Sequence, residues 1–351
     1  MKISFFKELI KINKPKRNPI QILILGLAML TILLTGYFLN NMIIASFGSL
    51  GVFMLMYYQH LPLKALLLKL SIACSYTLIS FLLGSLSTHL TWTTPIVVGI
   101  IGFLGRVFFR LYKISKPGVF YGVMVSAMGA SLPVPLAQLP MTCLFFLSGV
   151  ALTFIGALII HFTQKTPPES VEQISFKTRL NNDPAVLIDG IFYAGVMFFA
   201  VYLSQSLQLG NPYWLVVSTA AILQGDTLRA MMHRNVQRIF GATIGILLAA
   251  FLLSLPMTTL QKIFLTTALF LIMDFTIRSN YGLGNFFTNP MALMLASLAR
   301  NQYVPTLLQD RFVDILLGSL LGASAAWLFT TGLKFYNKAF DLNETLDNEA
   351  N

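Results

Sequence analysis

Five ionisable side chains crowd into residues 224–238 of a chain that is otherwise largely apolar: Asp226, Arg229, His233, Arg234 and Arg238. An α-helix turns about 100° per residue, so Arg234 and Arg238 share one of its faces. Asp226, Arg229 and His233 share another face. A guanidinium group is a planar fork that binds a carboxylate through two hydrogen bonds. The spacing therefore predicts an anion-binding face at Arg234 and Arg238 and a local ion pair at Asp226. Arginines that only reach out to lipid phosphate are the alternative.

The composition indicates a membrane protein. Hydrophobic residues make up 56% of the 351 residues and charged residues only 11%, which leaves too few polar side chains to cover a soluble protein of this size. Cys74 and Cys143 lie in apolar runs without CxxC spacing, and the sequence contains no metal-binding, phosphate-binding or hydrolase motif. We therefore expect an all-α integral membrane protein that is not an enzyme and uses neither a metal nor a cofactor.

Apolar runs predict where the chain crosses the bilayer. A helix needs about 20 residues to span roughly 30 Å of hydrocarbon. Twelve runs are candidates, six in residues 19–161 and six in residues 185–333, with a polar linker at 162–184 between the two sets. Their limits are 19–39, 41–58, 66–86, 93–111, 118–132, 138–161, 185–205, 211–224, 236–255, 260–279, 285–299 and 311–333.

The distribution of basic residues predicts the orientation, because basic loops are retained in the cytoplasm. With twelve spans and a cytoplasmic start, 21 of the 24 Lys and Arg residues fall on the inner side. Both termini are therefore expected in the cytoplasm, with a basic amphipathic segment at 1–18 and a tail at 334–351. These loops face anionic lipid, so the net charge of +11 predicts the lipid bilayer as partner and no nucleic acid.

The two sets of six segments resemble each other. A shift of 165 residues places Lys64 and Lys69 on Arg229 and Arg234, as an internal duplication would. Because each set has an even number of spans, the two repeats would share one orientation and be related by a pseudo-twofold axis along the membrane normal. The matched basic residues Lys64, Lys69 and Arg229 therefore join the candidate anion-binding residues.

Two segments at equivalent positions, 118–132 and 285–299, are short for a membrane span. They carry the helix-breaking residues Gly122 and Pro290. Unwound backbone at these points would have to line protein or water, as in the broken helices of transporters; kinks in ordinary packed helices are the alternative. The polar side chains that these segments would offer to a substrate are Tyr121, Asn285 and Asn289.

Four further charged residues lie inside or next to predicted spans. Asp274 and Arg278 are four residues apart, which predicts an ion pair along one helix face. Arg311 and Asp314 are three apart, and two interpretations remain open: a structural ion pair, or a membrane-embedded carboxyl group that takes up the coupling proton.

Several motifs in order resemble the membrane domain of the fusaric acid resistance family, the aromatic acid exporters. They are Asn211-Pro212-Tyr213-Trp214, Gln224, Arg234-x3-Arg238-x2-Gly241-Ala242-Thr243-x-Gly245 and Arg311-x2-Asp314-x3-Gly318-x3-Gly322. The glycines four apart predict close helix packing. The resemblance covers 185–333, and 19–162 only through the internal repeat. It implies a bacterial inner-membrane protein that exports small aromatic carboxylates, driven by the proton gradient.

The sequence departs from the family in two ways. We expect it to have no sizeable cytoplasmic domain, and its first repeat has Lys69, Tyr76 and Ser80 where the second has Arg234, Gly241 and Gly245. Our leading hypothesis is a secondary exporter of small, aromatic organic anions. A passive anion channel and a non-transporting membrane scaffold or assembly factor are the alternatives, and homo-oligomerisation is left open.

Overall fold

The computed structural model describes residues 11–12, 19–114, 117–131, 134–170, 174–225, 227–299 and 304–349. Every regular element in these ranges is helical. A 3₁₀ turn over Phe53–Tyr57 directly continues the second helix. The thirteen α-helices are α1 Pro19–Phe38, α2 Met42–Val52, α3 Leu63–Ser87, α4 Thr94–Leu111, α5 Phe120–Ser131, α6 Leu139–Thr163, α7 Phe176–Asn182, α8 Ala185–Ser206, α9 Tyr213–Ile222, α10 Leu228–Ser254, α11 Thr259–Ser279, α12 Tyr281–Ala299 and α13 Val304–Glu349.

The prediction of an all-helical, multi-pass membrane protein is confirmed. Within the described residues, eight helices are long and apolar enough to cross a bilayer, and each of the twelve predicted segments coincides with one helix. The remaining four segments coincide with α2, α5, α9 and α12. The first three are shorter than the eight long helices, and α12 is not among those eight. These four segments occupy the second and fifth places in each set of six. The linker contains one further short helix, α7. Most of the segment at 1–18 lies outside the described residues.

The breaks predicted at Gly122 and Pro290 do not occur. Both residues lie inside continuous helices, α5 and α12. Gly122 instead receives the ring of Tyr76, whose Cε1 would lie 2.1 Å from a Cβ at this position. A glycine that makes room for a neighbouring ring looks in the sequence like a helix breaker, which explains the wrong prediction.

Capping side chains fix where two helices of the second set, α10 and α11, begin. Thr227 accepts a hydrogen bond from the Ala230 amide at 3.1 Å and so starts α10 at Leu228. Thr258 and Gln261 form a capping box at the start of α11, an arrangement that satisfies two helix amides at once. These starts set the register that carries Arg234 and Arg238 along α10.

The helices pack in matching pairs. Within the first set α3 packs on α5 and α2 on α6; within the second, α10 packs on α12 and α9 on α13. Between the sets, α4 packs on α8 and α11 on α1. The α4–α8 contact carries ion pairs: Asp189 accepts from Arg106 at 2.8 Å and from Arg110 at 2.9 Å, and Arg110 also reaches Asp183 at 2.8 Å.

Small residues allow the closest of these contacts. A Cβ on Gly149 of α6 would lie 1.8 Å from the Gly48 carbonyl oxygen of α2, and Thr153 one turn later donates to the Gly51 carbonyl at 2.8 Å. A Cβ on Gly241 of α10 would likewise lie 2.4 Å from the Gly282 oxygen. Backbones that approach this closely gain dispersion contacts that lipid cannot replace.

We therefore expect Gly149→Ala to destabilise the protein. The added methyl group has no room against a rigid backbone carbonyl, and such overpacking costs about 1–3 kcal/mol. The thermal unfolding midpoint in detergent should fall. Gly195→Ala in α8 is the matched control, since nothing lies within 4 Å of a Cβ there; an equal midpoint for the two variants would contradict the packing account.

Candidate functional site

A cavity of about 440 Å³ opens where the two sets of helices meet. Residues of the four helices that are not among the eight long spans, α2 (with its 3₁₀ turn), α5, α9 and α12, line it together with residues of α10, α11 and α13. Its wall from the first set is apolar, with Phe53, Tyr121 and Met124 among its members. Its wall from the second set carries the charged residues.

Four arginines line the cavity: Arg234, Arg238, Arg278 and Arg311. Within the part of the chain that the structure describes, no Asp or Glu lines it. A cavity with several positive groups and no acid in its walls attracts anions, and the low dielectric around it strengthens the attraction.

Arg238 is buried and is held by neutral groups. It donates to the Ser218 hydroxyl at 3.0 Å, to the Tyr281 hydroxyl at 3.1 Å and to the Asn285 side-chain oxygen at 3.3 Å. Its Nε has no hydrogen-bond partner among the described residues. These contacts fix the guanidinium group without cancelling its charge, so the charge remains available to a ligand.

Arg234, one turn earlier on α10, lies beside the same tyrosine. Its guanidinium carbon is 4.1 Å from the centre of the Tyr281 ring, and its Nε donates to the Ala221 carbonyl at 3.1 Å. A cation over an aromatic face is stabilised by the ring quadrupole. Tyr281 thus positions both arginines, Arg234 with its ring and Arg238 with its hydroxyl.

Arg311 of α13, like Arg238, is a buried cation at the cavity. Its Nε donates to the Asn289 side-chain oxygen at 3.0 Å, and its guanidinium carbon lies 4.8 Å from the Trp214 ring centre. The two terminal nitrogens donate to no residue that the structure describes. They form the planar fork that a carboxylate would meet.

The predicted pair of Arg311 with Asp314 does not form. Arg311 is instead engaged by Asn289 and Trp214. Asp314 is buried, and neither of its carboxylate oxygens has a hydrogen-bond partner in the described part of the chain. Residues three apart lie on neighbouring turns of a helix. The Asn289 amide and the Trp214 indole ring nevertheless hold the Arg311 guanidinium group, so that it does not pair with Asp314.

The other residues predicted from the sequence fall into four groups. Tyr121 and Asn285 line the cavity, and Asn289 lies behind it as the support of Arg311. Three basic residues do not line it: Lys64 and Arg229 are exposed, and Lys69 donates to Gln59.

Asp226 lies outside the described residues. The predicted pair of Asp274 with Arg278 is not among the ion pairs within 4 Å of the described residues. Asp274 is fully buried, whereas Arg278 lines the cavity.

The sequence reasoning missed three cavity residues. It treated Arg311 and Arg278 only as members of local ion pairs, and it did not single out Tyr281. The signal for Tyr281 was weak, because nothing in the sequence indicates that α12 begins beside α10. Trp214 was part of a quoted motif, but its role as the platform for Arg311 depends on the α9–α13 contact.

The chain is thus a multi-pass α-helical membrane protein with a cationic cavity between its two sets of helices. Residues 198–325 match the family model described as fusaric acid resistance protein-like, which confirms the resemblance predicted from the sequence. Over 138 residues the chain is 29% identical to an uncharacterized membrane protein of Bacillus subtilis (strain 168), YvaC. That stretch is 39% of this chain but only 22% of the relative's length. No solved structure matches the chain.

We expect Arg238→Met to abolish anion binding while the fold is retained. The change leaves the hydroxyls of Ser218 and Tyr281 and the side-chain oxygen of Asn285 without the donor they now have, at a cost of about 1–3 kcal/mol for an unsatisfied buried group, so the ligand-free midpoint should fall. The same change should abolish any rise in the unfolding midpoint that an added organic anion, such as 4-hydroxybenzoate, causes in the wild type. Arg229→Met, at an exposed arginine of the same helix, is the control. A normal ligand-induced rise in Arg238→Met would contradict the assignment of Arg238.

Proposed function

We propose that the protein is a secondary transporter that exports small organic anions, aromatic acids among them, through the cavity between its two sets of helices. The observation that carries the proposal is the cavity wall with four arginines and, among the described residues, no acid. The match to a family model described as fusaric acid resistance protein-like supports export as the direction.

The proposal includes two six-helix repeats related by a pseudo-twofold axis along the membrane normal. The helix pairs support it, because α3–α5 corresponds to α10–α12, α2–α6 to α9–α13, and α4–α8 to α11–α1. The places of the four helices that are not long spans, second and fifth in each set, support it as well. Transporters built from repeats bind substrate where the repeats meet, which is where this cavity lies.

The proposed orientation follows the basic residues. With both termini in the cytoplasm of a bacterial cell and the chain in the inner membrane, the starts of α3 and α10 lie on the cytoplasmic side. Lys64 and Arg229 are exposed there and would attract anions towards the cavity by their long-range field.

Arg238 and Arg311 are the proposed anion-binding residues, with Arg234 beside them. A carboxylate at the open fork of Arg311 and close to the Arg238 guanidinium group would receive charge-assisted hydrogen bonds, each roughly twice as strong as a neutral one. Asn285 and Asn289 act as positioning residues, since each accepts a hydrogen bond from one of these arginines. Tyr121, on the opposite wall, would contact the apolar part of the substrate.

Asp314 is the proposed proton-coupling residue. It lies one turn from Arg311, is buried, and has two oxygens without hydrogen-bond partners among the described residues. Such a carboxyl group can gain or lose a proton without breaking a hydrogen bond. Ionisable groups at this depth in a membrane protein commonly serve proton relays.

Flux of labelled 4-hydroxybenzoate in proteoliposomes, with and without an imposed pH gradient, tests this function. The gradient should accelerate flux in the wild type and have no effect in Asp314→Asn. Asp310→Asn is the control, because Asp310 lies one turn earlier and is bound by Asn211 at 3.0 Å. Loss of two charge-assisted contacts in the Arg234→Ala, Arg238→Ala double variant should weaken substrate affinity about 10- to 100-fold.

Three outcomes count against the proposal. Full flux in the double arginine variant would exclude the cavity as the substrate site. Wild-type flux that ignores the pH gradient would favour a passive anion channel. No flux of any anion, from protein shown to be correctly inserted, would favour a membrane scaffold.

A further inference from the structure

The two walls of the cavity differ in chemistry. All four arginines come from the second set of helices, at positions from 234 to 311. The first set contributes apolar and aromatic side chains, Phe53, Met56, Phe120, Tyr121, Met124 and Met128, and among the described residues no charged one. A ligand that satisfies both walls at once has an anionic group at one end and an apolar body at the other.

The aromatic rings around the cavity already have stacking partners. The guanidinium group of Arg311 lies over Trp214 and that of Arg234 over Tyr281. Phe53 and Tyr121 are stacked on each other, with centroids 5.8 Å apart and planes inclined by 13°. One face of each of these four rings is therefore engaged by the protein itself, which reduces the ring surface left for a flat aromatic ligand.

Methionines supply much of the remaining apolar surface. Met124 and Met128 lie one turn apart on α5, and Met273 and Met291 face the cavity from α11 and α12. A methionine side chain is unbranched, has three rotatable bonds and adapts to irregular shapes. Surfaces rich in methionine accept many apolar ligands without selecting one geometry.

The volume exceeds what a single-ring acid needs. A cavity of about 440 Å³ lies in the range that encloses drug-sized ligands. A benzoate bound to the arginines would leave the methionine-lined part unfilled. Filling that part with apolar groups removes them from water and adds affinity in proportion to the area buried.

We propose that the cavity selects amphipathic anions by the size of the apolar body rather than by aromaticity, so that medium-chain aliphatic carboxylates are substrates together with aromatic acids. The inference rests on the proposed function, because it names the substrate class of the same site. The anionic group binds at Arg238 and Arg311, and the chain lies along Met124 and Met128.

Tryptophan fluorescence provides the test. Trp92 and Trp327 are exposed, so the Trp92→Phe, Trp327→Phe protein retains only Trp214, beneath Arg311. This protein in nanodiscs is titrated with hexanoate, octanoate and decanoate, with benzoate and 2-naphthoate, and with octanamide as the uncharged analogue. Empty nanodiscs correct for partitioning into lipid. Each added methylene should lower Kd by a factor of about two to four, and octanamide should not bind.

Two variants locate the apolar part of the site. Met124→Gln, Met128→Gln replaces two cavity methionines with polar side chains of similar length. It should remove the gain with chain length while hexanoate binding is retained. Met141→Gln, at an exposed methionine of α6, is the control and should keep the gain.

The outcomes distinguish this inference from the function beneath it. Benzoate binding without a gain from hexanoate to decanoate overturns the inference and leaves the proposed function standing. A chain-length gain that persists in Met124→Gln, Met128→Gln overturns the inferred place of the chain. Absence of binding by every anion, benzoate included, overturns both.

Discussion

The structure depends on the burial of guanidinium groups at a cavity that no Asp or Glu of the described residues lines. Moving such a cation out of water costs several kcal/mol unless polar groups replace its hydration. Here neutral groups do so: the hydroxyls of Ser218 and Tyr281 for Arg238, and the amide of Asn289 for Arg311. Because the charge is supported but not neutralised, an anionic ligand is the partner that we propose for it.

Helices at the same places in the two sets pack in the same pairs, while the charges are distributed unequally between the sets. Equivalent helices pack in equivalent pairs in both sets, and the four helices that are not long spans meet around the cavity. The arginines nevertheless lie on one side only. The helices of the first set can therefore present methionines and aromatic rings where the second set presents cations, and the division gives the cavity two chemically distinct walls.

The sequence predicted the helices better than it predicted the site. Bilayer thickness dictates apolar runs near 20 residues long, which is why eight of the predicted segments coincide with helices of the described residues that are long and apolar enough to span. The other four coincide with helices that do not meet this criterion. The arginine face of α10 followed from helical periodicity, and Arg238 lines the cavity as that face implied. Long-range packing decided the rest. The internal repeat predicted Lys64 as an anion-binding residue, but Lys64 is exposed. Local spacing offered Asp314 as the ion-pair partner of Arg311. Trp214 and Asn289, which are distant in sequence, hold that arginine instead.

Locating a heavy-atom-labelled anion tests the central claim most directly. A structure of the protein determined by X-ray diffraction with 4-iodobenzoate would show the iodine by its anomalous signal. Our account predicts the carboxylate within hydrogen-bond distance of Arg238 and Arg311, with the iodine directed towards Met124 of the opposite wall. An anion bound instead at the exposed Lys64 or Arg229, with none between the buried arginines, would contradict it.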